Sequence, residues 1–222
     1  DQLRITWAAD EKGLRNVYTA AAPGWAPEKL TAFIRDDGQE ISSLSLSRNG
    51  RWVCFVRGGD HGGDWGDTDP VNPAGDLQPQ PIQVWVAPVS GGQARAVSEG
   101  DDPVLSPAGD SVAFIRNGQV WMAATDGTVA AHNLFTTLGV CGSLRFSPDG
   151  SALAFVSRRG DHSLIGVYRF STRSLSWVAP SFKKDASPRW SPDGRRIVFA
   201  RMEGSGTITD SITNPSPTAW SI

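Results

Sequence analysis

Four short stretches of the chain repeat one pattern of apolar positions. Counting from Gly50, Gly109, Gly150 and Gly194, the third residue is Val53, Val112, Leu153 and Ile197, and the fifth is Phe55, Phe114, Phe155 and Phe199. The residues between and after them are also mostly apolar: Cys54 and Val56, Ala113 and Ile115, Ala154 and Val156, Val198 and Ala200. Period-two order with apolar residues on both faces predicts strands covered on both sides. Each stretch follows a four-residue phrase: SRNG at 47–50, SPAG at 106–109, and SPDG at 147–150 and 191–194. Pro in second place and Gly in fourth suit a type I turn, with Asp or Asn accommodated between them.

A second apolar phrase follows, now an aliphatic residue and a large aromatic: Val84-Trp85, Val120-Trp121 and Val167-Tyr168. Ile5 and Trp7, then Val17-Tyr18, form a copy without its leading turn, and Ala219-Trp220 supplies a fifth aromatic. Weaker third strands are read at Lys29–Phe33, Ala94–Ser98 and Ser174–Val178. The turn glycines fall 59, 41 and 44 residues apart. That period, with about four strands per repeat, marks a β-propeller blade, a small sheet that covers its faces only against its neighbours. The fold expected is therefore all-β: a single partial β-propeller domain over 1–222, with about five blades of mostly four antiparallel strands. The blades are placed at about 1–38, 39–100, 101–141, 142–185 and 186–222. The first and last are expected to be incomplete, as pieces of a longer polypeptide would be. No window has convincing helical periodicity free of Gly and Pro.

Composition agrees with short strands joined by many turns. The chain has 24 Gly, 15 Pro and 9 Trp in 222 residues, with 39% apolar and 20% charged residues. A formal charge of -2 gives no electrostatic case for nucleic acid or an anionic membrane surface. No apolar run of about 18 residues is present, so no membrane span is expected, and no secretory signal is visible. Cys54 and Cys141 stand in strand-like surroundings and read as small buried apolar residues, too few for a disulfide framework or a zinc site.

At the level of these phrases the chain resembles the N-terminal propeller of the prolyl oligopeptidase family, in its bacterial dipeptidyl-peptidase-IV-like and acylaminoacyl-peptidase-like branch. The resemblance rests on the SPDG turns with their following aromatics, ITWAADEKGLRNVYTA at 5–20, DDGQEISSLSLS at 36–47, VRGGDHGGDWGD at 56–67 and SRRGDHSLIGVY at 157–168. It covers essentially the whole chain. It implies a propeller over the mouth of an α/β-hydrolase domain with a Ser-Asp-His triad, admitting short peptides and positioning their N-terminal part. That catalytic domain is absent from this chain. Relatives of this kind are often exported, so the resemblance points to a bacterial periplasmic or secreted location, with the cytoplasm as the alternative. Dipeptidyl peptidases of the family hold the substrate amine with a pair of glutamates. Here Glu28, Glu40, Glu99 and Glu203 are isolated, which places an acylaminoacyl- or oligopeptidase-like parent beside a dipeptidyl one.

The chain itself offers little chemistry for bond breaking. No G-x-S-x-G occurs; Ser90 and Ser205 lack its glycine spacing. His61, His132 and His162 form no recognisable triad order, so no catalytic residue is assigned. The segment GGDHGGDWGDTD at 58–69 combines acids, a histidine and a tryptophan in a long insertion. Its functional reading is a loop whose Asp60, His61, Asp64 or Trp65 touches substrate or a neighbouring domain. Its spacing matches no familiar metal motif, and neither metal nor cofactor is expected. The plainer reading is a solvated Gly/Asp turn. GDH recurs at 160–162 in the equivalent connection two blades later, where Asp161 and His162 join the candidates, and this recurrence favours the turn. Arg158-Arg159 and Arg195-Arg196 have the chemistry to hold a substrate carboxylate, or simply flank turns in water. The segment 204–218, rich in Gly, Ser, Thr and Pro, reads as a flexible insertion.

Two functions from different classes follow. One is a non-catalytic propeller that gates and positions short peptide substrates for a separate hydrolase domain, its partner in the same parent chain. The other is a stand-alone TolB-like propeller that binds a protein or peptide. Apolar faces and strand edges at the two ends of a partial ring also predict self-association.

Overall fold

The structure, a computed structural model, describes residues 3–59, 80–203 and 220–221. All its regular elements are strands. β1 (Arg4–Glu11), β2 (Leu14–Ala21) and β3 (Glu28–Lys29) form a three-stranded antiparallel sheet in sequential order. A second sheet runs β4 (Ile41–Leu46), β5 (Trp52–Arg57), β6 (Gln83–Pro88), β7 (Arg95–Glu99). The third contains β8 (Asp101–Leu105), β9 (Ser111–Arg116), β10 (Gln119–Ala124) and β11 (His132–Phe135), again neighbour to neighbour. The fourth set is β12 (Val140–Phe146), β13 (Ala152–Arg158), β14 (Ser163–Arg169) and β15 (Ser174–Val178). The fifth is β16 (Lys184–Trp190), β17 (Ile197–Met202) and β18 (Trp220–Ser221). A parallel bridge, Ser163 to Lys184, joins the fourth and fifth sets into one seven-stranded sheet. The chain divides into two compact units, Asp1–Arg116 with Trp121–His132, and Asn117–Val120 with Asn133–Ile222.

The repeated turn is built the same way four times. Gly50, Gly109, Gly150 and Gly194 each donate their amide to the carbonyl of Ser47, Ser106, Ser147 and Ser191, at 2.9 Å in all four. All four glycines have φ between +68° and +75°, a region costly for residues with a Cβ. The serine hydroxyl then accepts the amide of Trp52, Ser111, Ala152 or Arg196 at the start of the next strand. A backbone bond from each serine amide closes the hairpin. Serine thus serves as a hub, which explains its place at the head of the phrase.

Both faces of β5, β9 and β13 are covered, as the two-sided apolar pattern requires, whereas β17 of the fifth set stays partly open, with Val198 51% exposed. In the first unit, Val53 and Phe55 pack with Val17 and Leu30 of the first sheet. Cys54, between them in sequence, faces the other way onto Leu105, Val112 and Phe114 of the third. In the second unit, Phe135 stacks on Tyr168 and meets Phe155 at a tilt, each with ring centroids 4.9 Å apart. Ala152 and Ala154 face the opposite way, toward Trp190 and Ile197. Trp190 also donates its indole N–H to the carbonyl of Arg145 at 3.0 Å. Fully burying one such large side chain contributes roughly 1.5–3 kcal/mol. Gly166 sits mid-strand on β14, where an added Cβ would lie 2.3 Å from the Phe155 ring. Absence of a side chain there is what lets the ring lie down.

Both cysteines are free thiols and buried. Burial pushes the Cys54 thiol up to about 12 and raises that of Cys141. The third strand read at 29–33 is shorter than its apolar pattern implies, because side chains take over the ladder. Buried Asn16 accepts the Phe33 amide at 2.8 Å and donates to the Phe33 carbonyl at 3.0 Å. The Thr31 hydroxyl accepts the Val17 amide at 2.9 Å.

Candidate functional site

The far end of the strands, away from the serine hubs, is where the second unit opens into a cleft. The β13–β14 hairpin is closed there by the Arg159 amide donating to the His162 carbonyl at 2.9 Å. Arg158 is paired with Ser163, Ser163 with Lys184, and Lys184 with Met202, so these four residues occupy one row across four strands. Directly paired residues share a sheet face, and neighbouring strands lie about 4.8 Å apart. Arg158 and Lys184 therefore flank the short Ser163 with Cα atoms about 10 Å apart.

Nearby, the pairing of β12 with β13 shifts register between Gly142 and Arg145, and that of β16 with β17 between Ala186 and Arg189. At these bulges Ser143 and Ser187 adopt φ of +54° and +53°. The first unit has the same device, at Ser43 (φ +50°) and Asp102 (φ +48°). Each of the four lies four residues before a turn serine. In the second unit the bulges border a cavity of about 390 Å³, lined also by Arg158, His162, Ser163, Lys184 and Asp185.

Charge in this cleft is unevenly compensated. Asp185 is 1% exposed and is gripped by Arg201, Nε to Oδ1 at 2.6 Å and Nη2 to Oδ2 at 2.9 Å. That hydrogen-bonded carboxylate raises the Arg201 pKa, and the guanidinium also donates to the Ala179 carbonyl at 2.6 Å. The Ser163 hydroxyl donates to the Asp185 carbonyl at 2.6 Å, which fixes the floor. His162 holds Nδ1 2.7 Å from Asp161 Oδ1, and its ring meets Phe182 edge-on at 5.6 Å. Through that hydrogen bond the exposed Asp161 carboxyl lies below the usual carboxylate range. Arg158 and Lys184 make no ion pair or side-chain hydrogen bond among the described residues.

Of the residues singled out in the sequence, Asp161 and His162 thus come together on the hairpin at the cleft mouth. Asp60, His61, Asp64 and Trp65 lie outside the described residues, as does Ser205. Ser90 is an exposed turn residue. The paired arginines separate in role: Arg159 lies over the Trp177 ring at 4.8 Å, while Arg158 remains at the cleft. Arg195 and Arg196 are both exposed. Sequence reasoning missed Ser163, Lys184, Asp185 and Arg201. For Arg201 a signal existed: it stands seven residues after its turn glycine, as Arg57 and Arg116 do after theirs. These arginines lie over aromatic rings, Phe33 for Arg57, Trp121 for Arg116 and Phe199 for Arg201. Arg57 also pairs with Asp37. Among the described residues no group of three His, Cys, Asp or Glu is placed to hold a metal ion.

The sequence matches no protein-family model and no curated protein sequence. In three dimensions the chain is similar to TolB from Acinetobacter baumannii, with TM-score 0.57 and 20% identity over 92% of this chain and 48% of that one. It is similar to a puromycin-hydrolyzing peptidase of Mycobacterium tuberculosis, with TM-score 0.60 and 19% identity over 92% of this chain and 35% of that one. The β-propeller domain of the Trilobed protease from Pyrococcus furiosus gives TM-score 0.55 and 15% identity over 82% and 53%. The fold is a β-propeller. The five sheet sets are accordingly blades, and the chain spans roughly a third to a half of the length of these structures. At such low identity the likeness speaks for the fold alone. It joins TolB-like and peptidase-associated propellers in one architecture, so function has to be argued from the cleft.

Proposed function

We propose that this chain is a non-catalytic propeller segment that gates and positions short peptides for a separate α/β-hydrolase domain of a serine peptidase, of the prolyl oligopeptidase kind. The observation that carries the proposal is the cleft between the fourth and fifth blades. It presents fixed hydrogen-bonding groups, two cations with no described partner and a short serine floor, on a row of paired strands. Rigid polar groups around an open cavity suit an extended peptide, which brings main-chain donors, acceptors and charged ends. Two of the similar structures are peptidases or parts of one, which supports the same direction.

The test has two parts. Fluorophosphonate labelling of the parent polypeptide is expected to mark a serine in a G-x-S-x-G beyond this chain. Fluorescent peptides of four to ten residues are expected to bind the chain itself by anisotropy, while folded proteins do not. Likeness to TolB favours the second reading, a stand-alone propeller that docks a folded protein. Unlabelled parent together with tight binding of a folded partner would replace the first reading with that one.

A further inference from the structure

Within that peptide-positioning reading, on which this step rests, the cleft has a definite electrostatic preference. Its lining holds one acid, Asp185, and that acid is already satisfied on both oxygens by Arg201. The other acid nearby, Asp161, is engaged by His162 and projects to solvent at the rim, with its side chain 69% exposed. Glu203, next to Met202, is paired with Lys183 at 2.6 Å. Once these pairs are set aside, Arg158 and Lys184 remain as two positive charges facing one cavity.

The row geometry explains why they act together. Both stand on the same sheet face with Ser163 between them. Serine is too short to fill the gap, and its hydroxyl is turned to the Asp185 carbonyl. Both side chains are long enough to span such a gap; Lys184 flanks the serine directly, and Arg158, whose head rests over β12, meets an anion above the serine by swinging back across β13. The Arg158 guanidinium is kept over β12 because Gly142 leaves room there: an added Cβ would stand 3.0 Å from Nη1. Arginine offers a planar pair of donors that matches the two oxygens of a carboxylate, and lysine adds a second, rotatable charge. Arg159, drawn onto Trp177, does not compete for the site.

We propose that Arg158 and Lys184 form a carboxylate-binding subsite, which takes the C-terminal carboxylate or an acidic side chain of a bound peptide. The experiment uses N-acetyl-Ala-Ala as the free acid, the same peptide as its C-terminal amide, and N-acetyl-Ala-Glu-amide. Each is titrated into the chain while the backbone amide signals of Ser143, Ser163 and Ser187 are followed by NMR. The free acid is expected to bind at least tenfold more tightly than the amide. Arg158→Met and Lys184→Met should each lower its affinity at least tenfold, Lys184→Arg should keep most of it, and Arg195→Met should leave it unchanged. Equal binding of the Ala-Glu amide would assign an acidic side chain as the carboxylate; its failure to bind would assign the chain terminus.

Equal affinity for acid and amide, or shifts that survive both methionine variants, would overturn the proposal. So would displacement by chloride or inorganic phosphate at the same concentration as the acid, which would show an unselective anion site. The two proposals fail separately. Carboxylates that bind while labelled peptides leave no trace at a hydrolase would remove the peptidase reading and keep this subsite. Peptides that bind without regard to their carboxylate would do the reverse.

Discussion

The two ends of the blade strands follow opposite rules. At one end, four hairpins repeat the same serine hub, with the same glycine conformation and nearly the same distances. At the other end the connections vary from blade to blade. Lys12-Gly13 and Asn117-Gly118 are matching two-residue turns with both residues at positive φ, Arg159–His162 carries an acid and an imidazole, and the connections after Gly59 and Glu203 extend beyond the described residues. The conserved end does work that every blade needs, reversing the chain so that a strand buried on both faces can begin. The variable end is released from that duty, and it holds the cleft. In this protein, repetition marks architecture, and the cleft opens where the connections vary.

The largest expected effect tests whether the irregular end is structurally idle. It is not: Asp185→Ala should cost roughly 3 kcal/mol, toward the lower side for a broken ion pair because Arg201 keeps some access to water. A denaturant midpoint close to wild type would show that the Asp185–Arg201 pair does not hold the fifth blade. Next, Ser147→Ala should cost about 1–2 kcal/mol, since the Ala152 amide and Asp149 lose their partner. A loss no greater than that of an exposed Ser151→Ala control would refute the hub. A smaller effect depends on pH. The Ser147 hydroxyl, with the Ser151 amide and hydroxyl, lowers Asp149 from 3.8 to about 2. Since the folded value lies below the unfolded one, its contribution is present above 3.8 and lost as pH falls toward about 2. Asp149→Asn should therefore flatten the fall in melting temperature over that window, and an unchanged slope would count against the turn geometry. The smallest effect sharpens the contrast: Arg158→Met and Lys184→Met should change stability by no more than about 0.5 kcal/mol. Melting temperatures well below wild type would make these two cations structural.

What could be read from the residues divides along the same line. The hub end was legible because its Ser, Gly and apolar letters recur at fixed spacing, and each letter has a local reason. The bulges are not, since Ser43, Ser143, Ser187 and Asp102 share a left-handed backbone conformation that neither residue type announces by itself. Arg57, Arg116 and Arg201 stand at a constant distance from their glycines, one residue beyond the apolar stretch that defines the repeat. Lys184 and Ser163 meet through a single inter-blade bridge, which no local pattern announces. His162 was noticed for its GDH phrase. Its hydrogen bond to Asp161 fits the plain turn reading, and its place at the cleft fits the functional one.

The cysteines give the molecule an unplanned chemical clock. Cys54 lies in the first compact unit and Cys141 in the second, each shielded and each with its thiol held back from ionising. Alkylation has to wait for the surrounding sheet to breathe, so the labelling rate at each sulfur times the opening of its own half. A single mass spectrum taken over time would then tell which half loosens first when a peptide arrives.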